Sequence, residues 1–295
     1  MEMDPIRTAL FVPGSRQDRF LKALDTGADK IIIDLEDAVP PSGKASARED
    51  AVRFLKSNAG PRIIVRINAV GTPYFQADID RIVAAAPVGL LVPKVESPQD
   101  LVSLNQALLQ AERAASLEIG CIHVVALIET ARAVDAISEI VRTRTEPHRL
   151  HTVAFGAADY SADIGIEMTL DGAELMFPRS KLVVACRAAE LAPPIDTPFM
   201  VDLKDLNALQ KDAGTARQLG FQGKLCIHPN QVEVINQVFS PKPREVHQAR
   251  RIVEAFEKAE ADGRGVLLVD GSFVDYPIVA RARRILQLAK LIENR

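Results

Sequence analysis

The chain has 295 residues, a formal net charge of −3 and a charged fraction of 25%. Acidic and basic residues are mixed along its whole length, which excludes the concentrated basic surface of proteins that bind nucleic acid or anionic membranes. Because no apolar run approaches the roughly 18 residues that cross a bilayer and the first residues lack a secretion signal, we expect a cytoplasmic protein acting on a small molecule.

Short apolar runs rich in β-branched residues recur along the chain with helical patterns between them. In chain order the eight runs are TALFVPG, KIIIDLED, RIIVRIN, GLLVPKVE, CIHVVALIE, HTVAFGAAD, a weaker DTPFMV, and KLCIHP. Runs that are apolar on both faces are typical of parallel strands covered by helices, as in a barrel or a doubly wound sheet. One α/β barrel needs roughly 250 residues, so the length suits a barrel with a short extension.

The intervening segments carry helix signals. The clearest is Ser97-Pro98-Gln99-Asp100, in which serine can cap the helix and proline suits its first turn. An apolar stripe through Leu101, Leu104 and Leu108 follows it. We expect such helices to form an outer layer around the strands.

The C-terminal part of the chain has a different organisation. PKPR at residues 241 to 244 is the one plausible hinge, so we predict a barrel over residues 1–240 and a C-terminal extension over residues 241–295. The extension reads as two helical stretches separated by ADGRGVLLVDGSFVDYP. It is too small for a core of its own, so it is expected to pack on the barrel or on a neighbouring subunit.

Polar residues follow most of the apolar runs, at the positions where a parallel barrel would open its catalytic face. They are Glu36, Asp37, Arg66, Asn68, Lys94, Glu96, Glu129 and Asp159. Strand ends meet polar loops, so any one of these residues taken alone is more often structural than catalytic. Glu129 and Asp159 are stronger candidates because each closes a nearly uncharged run on adjacent strands. Their oxygen atoms suit Mg²⁺ or Mn²⁺.

Arginine and the other basic residues suggest anion binding. Arg66, within VRIN, offers a planar fork for a substrate carboxylate, with an ion pair to Glu36 or Asp37 as the structural alternative. A second basic group follows the first strand, where side chains and free backbone N–H groups could receive phosphates, although from spacing alone a solvated helix start is the more common explanation. This group consists of Arg16, Arg19 and Lys22.

Two other kinds of catalytic site are not supported. The five histidines lack the HxH and HExxH spacings of zinc sites. Ser15 lacks the GxSxG context of a hydrolase nucleophile.

The order of these segments resembles the citrate lyase β-subunit and malyl-CoA lyase family of the HpcH/HpaI aldolase superfamily. The matching blocks run over nearly the whole chain. They are LFVPGSRQDRFLKALDTGADKIIIDLEDAV, VRIN, LVPKVES, ALIETARAV, FGAADYSADIG, CIHPNQV and DGSFVDYPIV. The resemblance implies an α/β fold, a (β/α)8 TIM barrel with a helical C-terminal extension that can act as a lid.

The resemblance also implies roles for individual residues. Glu129 and Asp159 would ligate Mg²⁺, Glu129 also contacting substrate, and Arg66 would bind the acid carboxylate. Asp37 would act near the metal through water, and Asp275 would be the catalytic residue of the lid, which can come from an adjacent subunit. Arg16, Arg19, Lys22 and His228 would contact coenzyme A or a phosphopantetheine arm at the barrel mouth.

The activity implied is cleavage of a 3-hydroxyacyl thioester of the citryl, malyl or citramalyl type into a keto acid and an acyl thioester. The reverse reaction is a condensation. Two alternatives stay open: an aldolase acting on a free 2-keto acid, and a β-subunit that depends on other lyase subunits and a carrier protein. The resemblance further implies a homo-oligomer, either a trimer or a hexamer.

Overall fold

The computed structural model describes residues 5–58 and 60–293, and it confirms the predicted barrel. Eight parallel strands form a closed cylinder in which each strand pairs with the next and β8 pairs with β1. The strands are β1 (Thr8–Pro13), β2 (Lys30–Asp34), β3 (Ile63–Arg66), β4 (Gly89–Val92), β5 (His123–Ile128), β6 (Leu150–Phe155), β7 (Ile195–Asp196) and β8 (Gly223–Cys226).

Helices connect the strands and cover the cylinder. They are α1 (Phe20–Leu24), α2 (Lys44–Ser57), α3 (Phe75–Val83), α4 (Pro98–Ala114), α5 (Ala131–Ile140), α6 (Ala157–Ile164), α7 (Met176–Ala188), α8 (Leu206–Leu219) and α9 (Asn230–Phe239). Helix α4 begins as predicted, because the Asp100 carboxylate accepts hydrogen bonds from the backbone N–H (2.8 Å) and the hydroxyl (3.0 Å) of Ser97.

Apolar side chains fill the barrel on both faces of its strands. Ile31, Ile32 and Ile33 of β2 are all buried, since one face of the strand meets the barrel interior and the other meets the helices. The interior layer takes residues from the seven other strands as well, among them Leu91, Leu127 and Leu225. This core fixes the strand ends in space, and with them the polar residues that follow.

The seventh strand is the main departure from the predicted elements. The run DTPFMV was expected to form it, but β7 covers only Ile195–Asp196. Proline has no backbone N–H and cannot continue a ladder of hydrogen bonds in a central strand, so Pro198 ends the strand early. Thr197 and the residues after it continue as irregular backbone.

The chain divides into two compact units, one ending at Gln237 and the other beginning at Val238. The second unit contains α10 (Pro243–Ala261), α11 (Tyr276–Glu293) and an antiparallel hairpin of β9 (Leu267–Val269) and β10 (Ser272–Val274). The sequence analysis did not predict this hairpin. Its turn residues, Asp270 and Gly271, both have positive φ angles (52° and 77°), the geometry that an Asp-Gly pair favours.

A small apolar cluster holds the second unit together. It consists of Phe256 from α10, Val269 and Val274 from the hairpin, and Val279 from α11. No helix in the described ranges is long and apolar enough to cross a membrane.

Candidate active site

A cavity of about 410 Å³ opens at the carboxyl ends of the strands, where catalytic residues of this architecture lie. Its polar lining comes from several strands. Asp34 and Arg66 are the last residues of β2 and β3, Glu129 follows β5, Asp159 lies in the first turn of α6, and Thr197 follows β7. Asp37, in the loop after β2, completes this polar lining.

Arg66 is buried and is surrounded by carboxylates. Its Nε and Nη2 each donate a hydrogen bond of 2.7 Å to Asp34, which forms a two-pronged ion pair. Its Nη1 lies 3.1 Å from Glu36 Oε2 and 3.3 Å from Asp37 Oδ2. The arginine therefore makes the two ion pairs considered from the sequence and a third, stronger one with Asp34. Because Asp34 occupies Nε and Nη2, a substrate carboxylate could bind this guanidinium only through Nη1.

Glu36 and Asp37 differ sharply in their surroundings. Glu36 is buried, and its Oε2 accepts no properly aligned hydrogen bond from the described residues, although Arg66 Nη1 is close. Its Oε1 lies 3.5 Å from Lys94 Nζ. The Asp37 side chain is 56% exposed and points to the cavity.

Glu129 is held in a narrow space. The backbone N–H of Lys94 donates a hydrogen bond of 2.9 Å to Glu129 Oε1, and Lys94 adopts a positive φ of 52° at that point. On the other side lies Gly156, where a Cβ atom would come within 2.5 Å of Glu129 Cβ and 2.8 Å of its Oε2. One carboxylate oxygen is thus fixed, and the other is next to backbone that carries no side chain.

Asp159 faces the same cavity from the start of α6. The helix start is tied to β7, because the backbone N–H of Ala157 donates a hydrogen bond of 3.0 Å to the Thr197 hydroxyl. Asp159 is half-buried and therefore accessible to small ions and ligands.

The acidic side chains are crowded enough to change their own protonation. Burial raises the pKa of Glu129 to about 8, and the neighbouring Glu36 and Asp159 carboxylates add to the rise. Burial also raises the pKa of Glu36 to about 7, against the lowering effect of Arg66. Burial works against the positive charge of Arg66, but hydrogen bonding and attraction from Asp34 raise its pKa above the usual value.

The charges around the cavity do not balance. Two cations, Arg66 and Lys94, lie near these five carboxylates within the described part of the chain: Asp34, Glu36, Asp37, Glu129 and Asp159. When every group is ionised, three negative charges are uncompensated, and an anionic substrate would be repelled. A divalent cation would restore the balance, and carboxylate oxygens are the ligands that Mg²⁺ prefers.

The cavity fits a metal that is only partly held by protein. Within residues 5–58 and 60–293, no three histidine, cysteine, aspartate or glutamate side chains form a complete metal cage. Mg²⁺ commonly uses one or two carboxylates and takes its other ligands from substrate and water. Glu129 and Asp159, together on one wall, are the residues that could hold it.

The predicted thioester contacts lie outside the cavity lining. Arg16, Arg19 and Lys22 are exposed in the segment after β1, and Arg16 is already paired with Asp18 at 2.9 Å. His228, also exposed, follows β8, and its Nδ1 lies 2.7 Å from Asn230 Oδ1. Because β1 and β8 pair in parallel, both segments belong to the carboxyl end of the barrel.

Asp275 belongs to the second unit. It precedes α11, and its Oδ1 accepts a hydrogen bond of 3.2 Å from the backbone N–H of Ile278. The side chain is half-buried and acts as a helix cap within that unit.

Three features of the cavity were missed from the sequence. Asp34 lies inside the apolar run KIIIDLED, where the one available signal is that a buried charge requires a partner. Gly156 is needed for space beside Glu129, which follows from no local pattern. Thr197 was placed inside a strand rather than at its end.

The chain is similar to known proteins over nearly its whole length. The family model described as HpcH/HpaI aldolase/citrate lyase matches residues 7–229. The citrate lyase subunit beta of Leuconostoc mesenteroides subsp. cremoris is 35% identical over 285 residues, covering 96% of this chain and 93% of the relative. A (3S)-malyl-CoA thioesterase of Cereibacter sphaeroides is 34% identical, covering 98% of this chain and 96% of the relative.

Solved structures agree with this assignment. Protein CitE from Mycobacterium tuberculosis in complex with magnesium, acetoacetate and coenzyme A has a TM-score of 0.77 and 28% identity, covering 98% of this chain and 99% of the other. The citrate lyase beta subunit from M. tuberculosis complexed with oxaloacetate and magnesium has a TM-score of 0.67 and 30% identity, covering 81% and 99%. The chain therefore belongs to the HpcH/HpaI aldolase/citrate lyase family, and it is a lyase.

Proposed function

We propose that the protein cleaves the carbon–carbon bond of a 3-hydroxyacyl coenzyme A thioester, of the citryl, malyl or citramalyl type, with Mg²⁺ as cofactor. Mn²⁺ would serve in its place. The observation that carries the proposal is the cavity in which Arg66, Glu129 and Asp159 meet at the carboxyl ends of the strands. The magnesium, keto acids and coenzyme A bound by the CitE structures support the same choice of ligands.

Glu129 and Asp159 are the proposed metal ligands. Burial and the neighbouring Glu36 and Asp159 carboxylates raise the pKa of Glu129 to about 8, and a cation bound beside Glu129 would relieve this crowding of negative charge. When bound, Mg²⁺ would supply Lewis-acid polarisation of the oxygen on the substrate carbon next to its carboxylate. Asp37 would take part through a water molecule.

Arg66 is the proposed binding residue for the substrate carboxylate. Its Nη1 faces the cavity beside the exposed Asp37, at 3.3 Å, so an incoming carboxylate would replace that contact. Glu129 would contact the same end of the substrate. These residues fix the hydroxyl-bearing carbon against one wall of the cavity, with the thioester directed outward.

The reaction is a retro-Claisen cleavage in which atoms and protons balance. The hydroxyl group gives its proton to a water molecule and becomes the carbonyl of the keto acid. The bond to the thioester α-carbon breaks, and its electron pair forms the thioester enolate. A proton then adds to that α-carbon and gives the acyl thioester. We assign this proton transfer to Asp275, acting as general acid in cleavage and general base in condensation.

Arg16, Arg19, Lys22 and His228 are the proposed contacts of coenzyme A. Their exposure and their location after β1 and β8 support the role, since a thioester leaving the cavity passes this rim. Coenzyme A should then raise the melting temperature of the protein, because a ligand that binds only the folded state stabilises it. An unchanged melting temperature would favour an aldolase acting on a free 2-keto acid.

The direct test is a panel of 3-hydroxyacyl coenzyme A thioesters with Mg²⁺, with and without EDTA. We expect one member to yield a keto acid and an acyl thioester, and EDTA to stop the reaction. A second candidate is thioester hydrolysis, favoured by the similarity to (3S)-malyl-CoA thioesterase. Hydrolysis would instead release free coenzyme A and the intact hydroxy acid.

Partner proteins are the remaining alternative. A β-subunit dependent on other lyase subunits and a carrier protein would leave the whole panel uncleaved, whereas cleavage by the isolated chain would exclude strict dependence. We also propose a homo-oligomer, a trimer or hexamer. Light scattering of the purified protein would test it, and a monomeric mass would contradict it.

A further inference from the structure

Asp34 has an unusual number of partners for one carboxylate. It is only 2% exposed and accepts four hydrogen bonds. Two come from Arg66, at 2.7 Å each, and two come from the backbone N–H groups of Glu36 (2.8 Å) and Ala38 (3.2 Å). One side chain thus ties the arginine of the cavity to the acidic loop that follows β2.

The register of the barrel explains this arrangement. Asp34 and Arg66 are directly paired residues at the ends of adjacent strands. The carboxylate lies against the Nε and Nη2 edge of the guanidinium, which leaves Nη1 as the nitrogen shared by Glu36 and Asp37. Arginine prefers to bind a carboxylate through two of its nitrogens at once. Without Asp34, the guanidinium of Arg66 would therefore form such a two-pronged pair with Glu36 or Asp37.

We propose that Asp34 is a positioning residue for substrate binding, and that it selects which edge of the Arg66 guanidinium faces the cavity. Occupying the Nε and Nη2 edge prevents Glu36 and Asp37 from capturing the arginine in a two-pronged pair. Of the two contacts that remain on Nη1, the one with the exposed Asp37 can then be exchanged for the carboxylate of a 2-keto or 2-hydroxy acid. This inference rests on the proposed function, because it takes Arg66 as the carboxylate-binding residue.

A purely electrostatic role for Asp34 predicts the opposite result. A negative charge beside Arg66 repels a substrate carboxylate, so removing the charge should strengthen binding. A positioning role predicts weaker binding, because asparagine keeps the shape but cannot accept from both Nε and Nη2. The Asp34→Glu variant also distinguishes the two roles, because it keeps the negative charge and moves the carboxylate by one methylene group. An electrostatic role predicts unchanged binding in this variant, and a positioning role predicts weaker binding.

The experiment measures calorimetric binding of pyruvate, with saturating Mg²⁺, to the full-length wild type and to the variants Asp34→Asn and Asp34→Glu. We expect both variants to weaken pyruvate binding about ten-fold or more. Tighter binding by Asp34→Asn, or unchanged binding by Asp34→Glu, would overturn the inference. Mg²⁺ affinity measured without pyruvate should stay within about two-fold of wild type in Asp34→Glu, because this variant keeps the negative charge and Asp34 is not a proposed ligand.

Asp29 supplies a matched control at the other end of the same strand. It is also a buried aspartate that pairs with an arginine, accepting from Arg7 Nε (2.9 Å) and Nη2 (2.7 Å). Asp29→Asn should lose comparable stability and leave pyruvate affinity unchanged. An equal loss of pyruvate affinity in this variant would attribute the effect to stability and overturn the positioning role.

A double-mutant cycle tests whether Asp34 acts through Arg66. The Arg66→Lys variant has a single ammonium group and no guanidinium for Asp34 to orient. Adding Asp34→Asn to it should therefore change pyruvate affinity by less than about two-fold. Additive losses would contradict the inference. Failure of the wild type itself to bind pyruvate would contradict the proposed function, and this inference with it, whereas wild-type binding with unchanged variants would contradict this inference alone.

Discussion

Gly156 and Glu129 pack so closely that a methyl group on the glycine would lie 2.5 Å from Glu129 Cβ and 2.8 Å from Glu129 Oε2. The φ of Gly156 is −106°, outside the left-handed region that favours glycine, so we expect a substitution there to act through crowding. The glycine therefore sets the position of the carboxylate assigned to the metal.

Gly156→Ala should displace the Glu129 carboxylate and weaken Mg²⁺ binding about ten-fold or more, measured by calorimetry. Gly214→Ala is the matched control, because a Cβ atom at that helical glycine meets nothing within 4 Å. Alanine in a helix interior should stabilise the control by about 0.5–1 kcal/mol and leave Mg²⁺ affinity unchanged. Wild-type metal affinity in Gly156→Ala would contradict this account of the glycine.

Replacing either proposed ligand should remove the stabilisation of the protein by metal. In Glu129→Gln and Asp159→Asn, saturating Mg²⁺ should no longer raise the melting temperature as it does in the wild type. Glu112→Gln is the control: Glu112 is a fully buried carboxylate bound to Arg149 at 2.6 Å, and it is not part of the cavity lining. It should lower the melting temperature and keep the Mg²⁺-dependent rise. Wild-type metal affinity in both ligand variants would exclude these residues as ligands.

Metal binding should depend on pH in a defined direction. The folded metal-free protein keeps a proton on Glu129 up to a pKa of about 8, whereas an unfolded glutamate loses it near 4.5. Mg²⁺ must displace that proton, so its affinity should fall about ten-fold per pH unit below 8 if a single proton is released. Calorimetry from pH 6 to 9 would measure this, and affinity independent of pH would contradict the assignment.

The same shift predicts how stability changes without metal. Because the folded state holds the Glu129 proton more tightly than the unfolded state, its contribution is favourable at low pH and is lost as pH rises from about 4.5 through about 8. Melting temperatures in EDTA should therefore show a smaller decline over this range in Glu129→Gln than in the wild type. Equal declines in the two proteins would assign the pH dependence to other groups.

Asp275→Asn should lower kcat by about a hundredfold or more, since general acid–base groups contribute factors of that size. Metal-dependent stabilisation should be unchanged, because Asp275 is not a proposed ligand. Asp262→Asn, which removes an exposed aspartate paired with Arg264 in the same unit, is the control and should retain wild-type turnover. Near-wild-type turnover in Asp275→Asn would remove this residue from the mechanism.

The number of strands could be predicted from the eight apolar runs, and the residues at several strand ends could be predicted because polar residues follow most of these runs. The barrel then brings Arg66, Glu129 and Asp159 to one cavity, as the parallel arrangement requires. Register was not predictable, and it is register that pairs Asp34 with Arg66. The sequence therefore indicated the residues at the rim, but not the carboxylate beneath the arginine.

Local sequence signals exist for two other features, the hairpin of the second unit and the short seventh strand. The Asp270-Gly271 pair between two apolar triplets is a hairpin signal, and a hairpin forms there. Pro198 within DTPFMV indicated a shortened strand. By contrast, the space beside Glu129 depends on the close approach of β5 and β6, which no local pattern encodes.

The most direct test of the proposed function is cleavage of the accepted thioester in D2O with Mg²⁺, followed by mass spectrometry of the products. Cleavage through a thioester enolate predicts an acyl thioester carrying one solvent deuterium on its α-carbon, together with an equal amount of keto acid, and no product in the presence of EDTA. Free coenzyme A with an undeuterated hydroxy acid would show hydrolysis instead and would contradict the lyase mechanism.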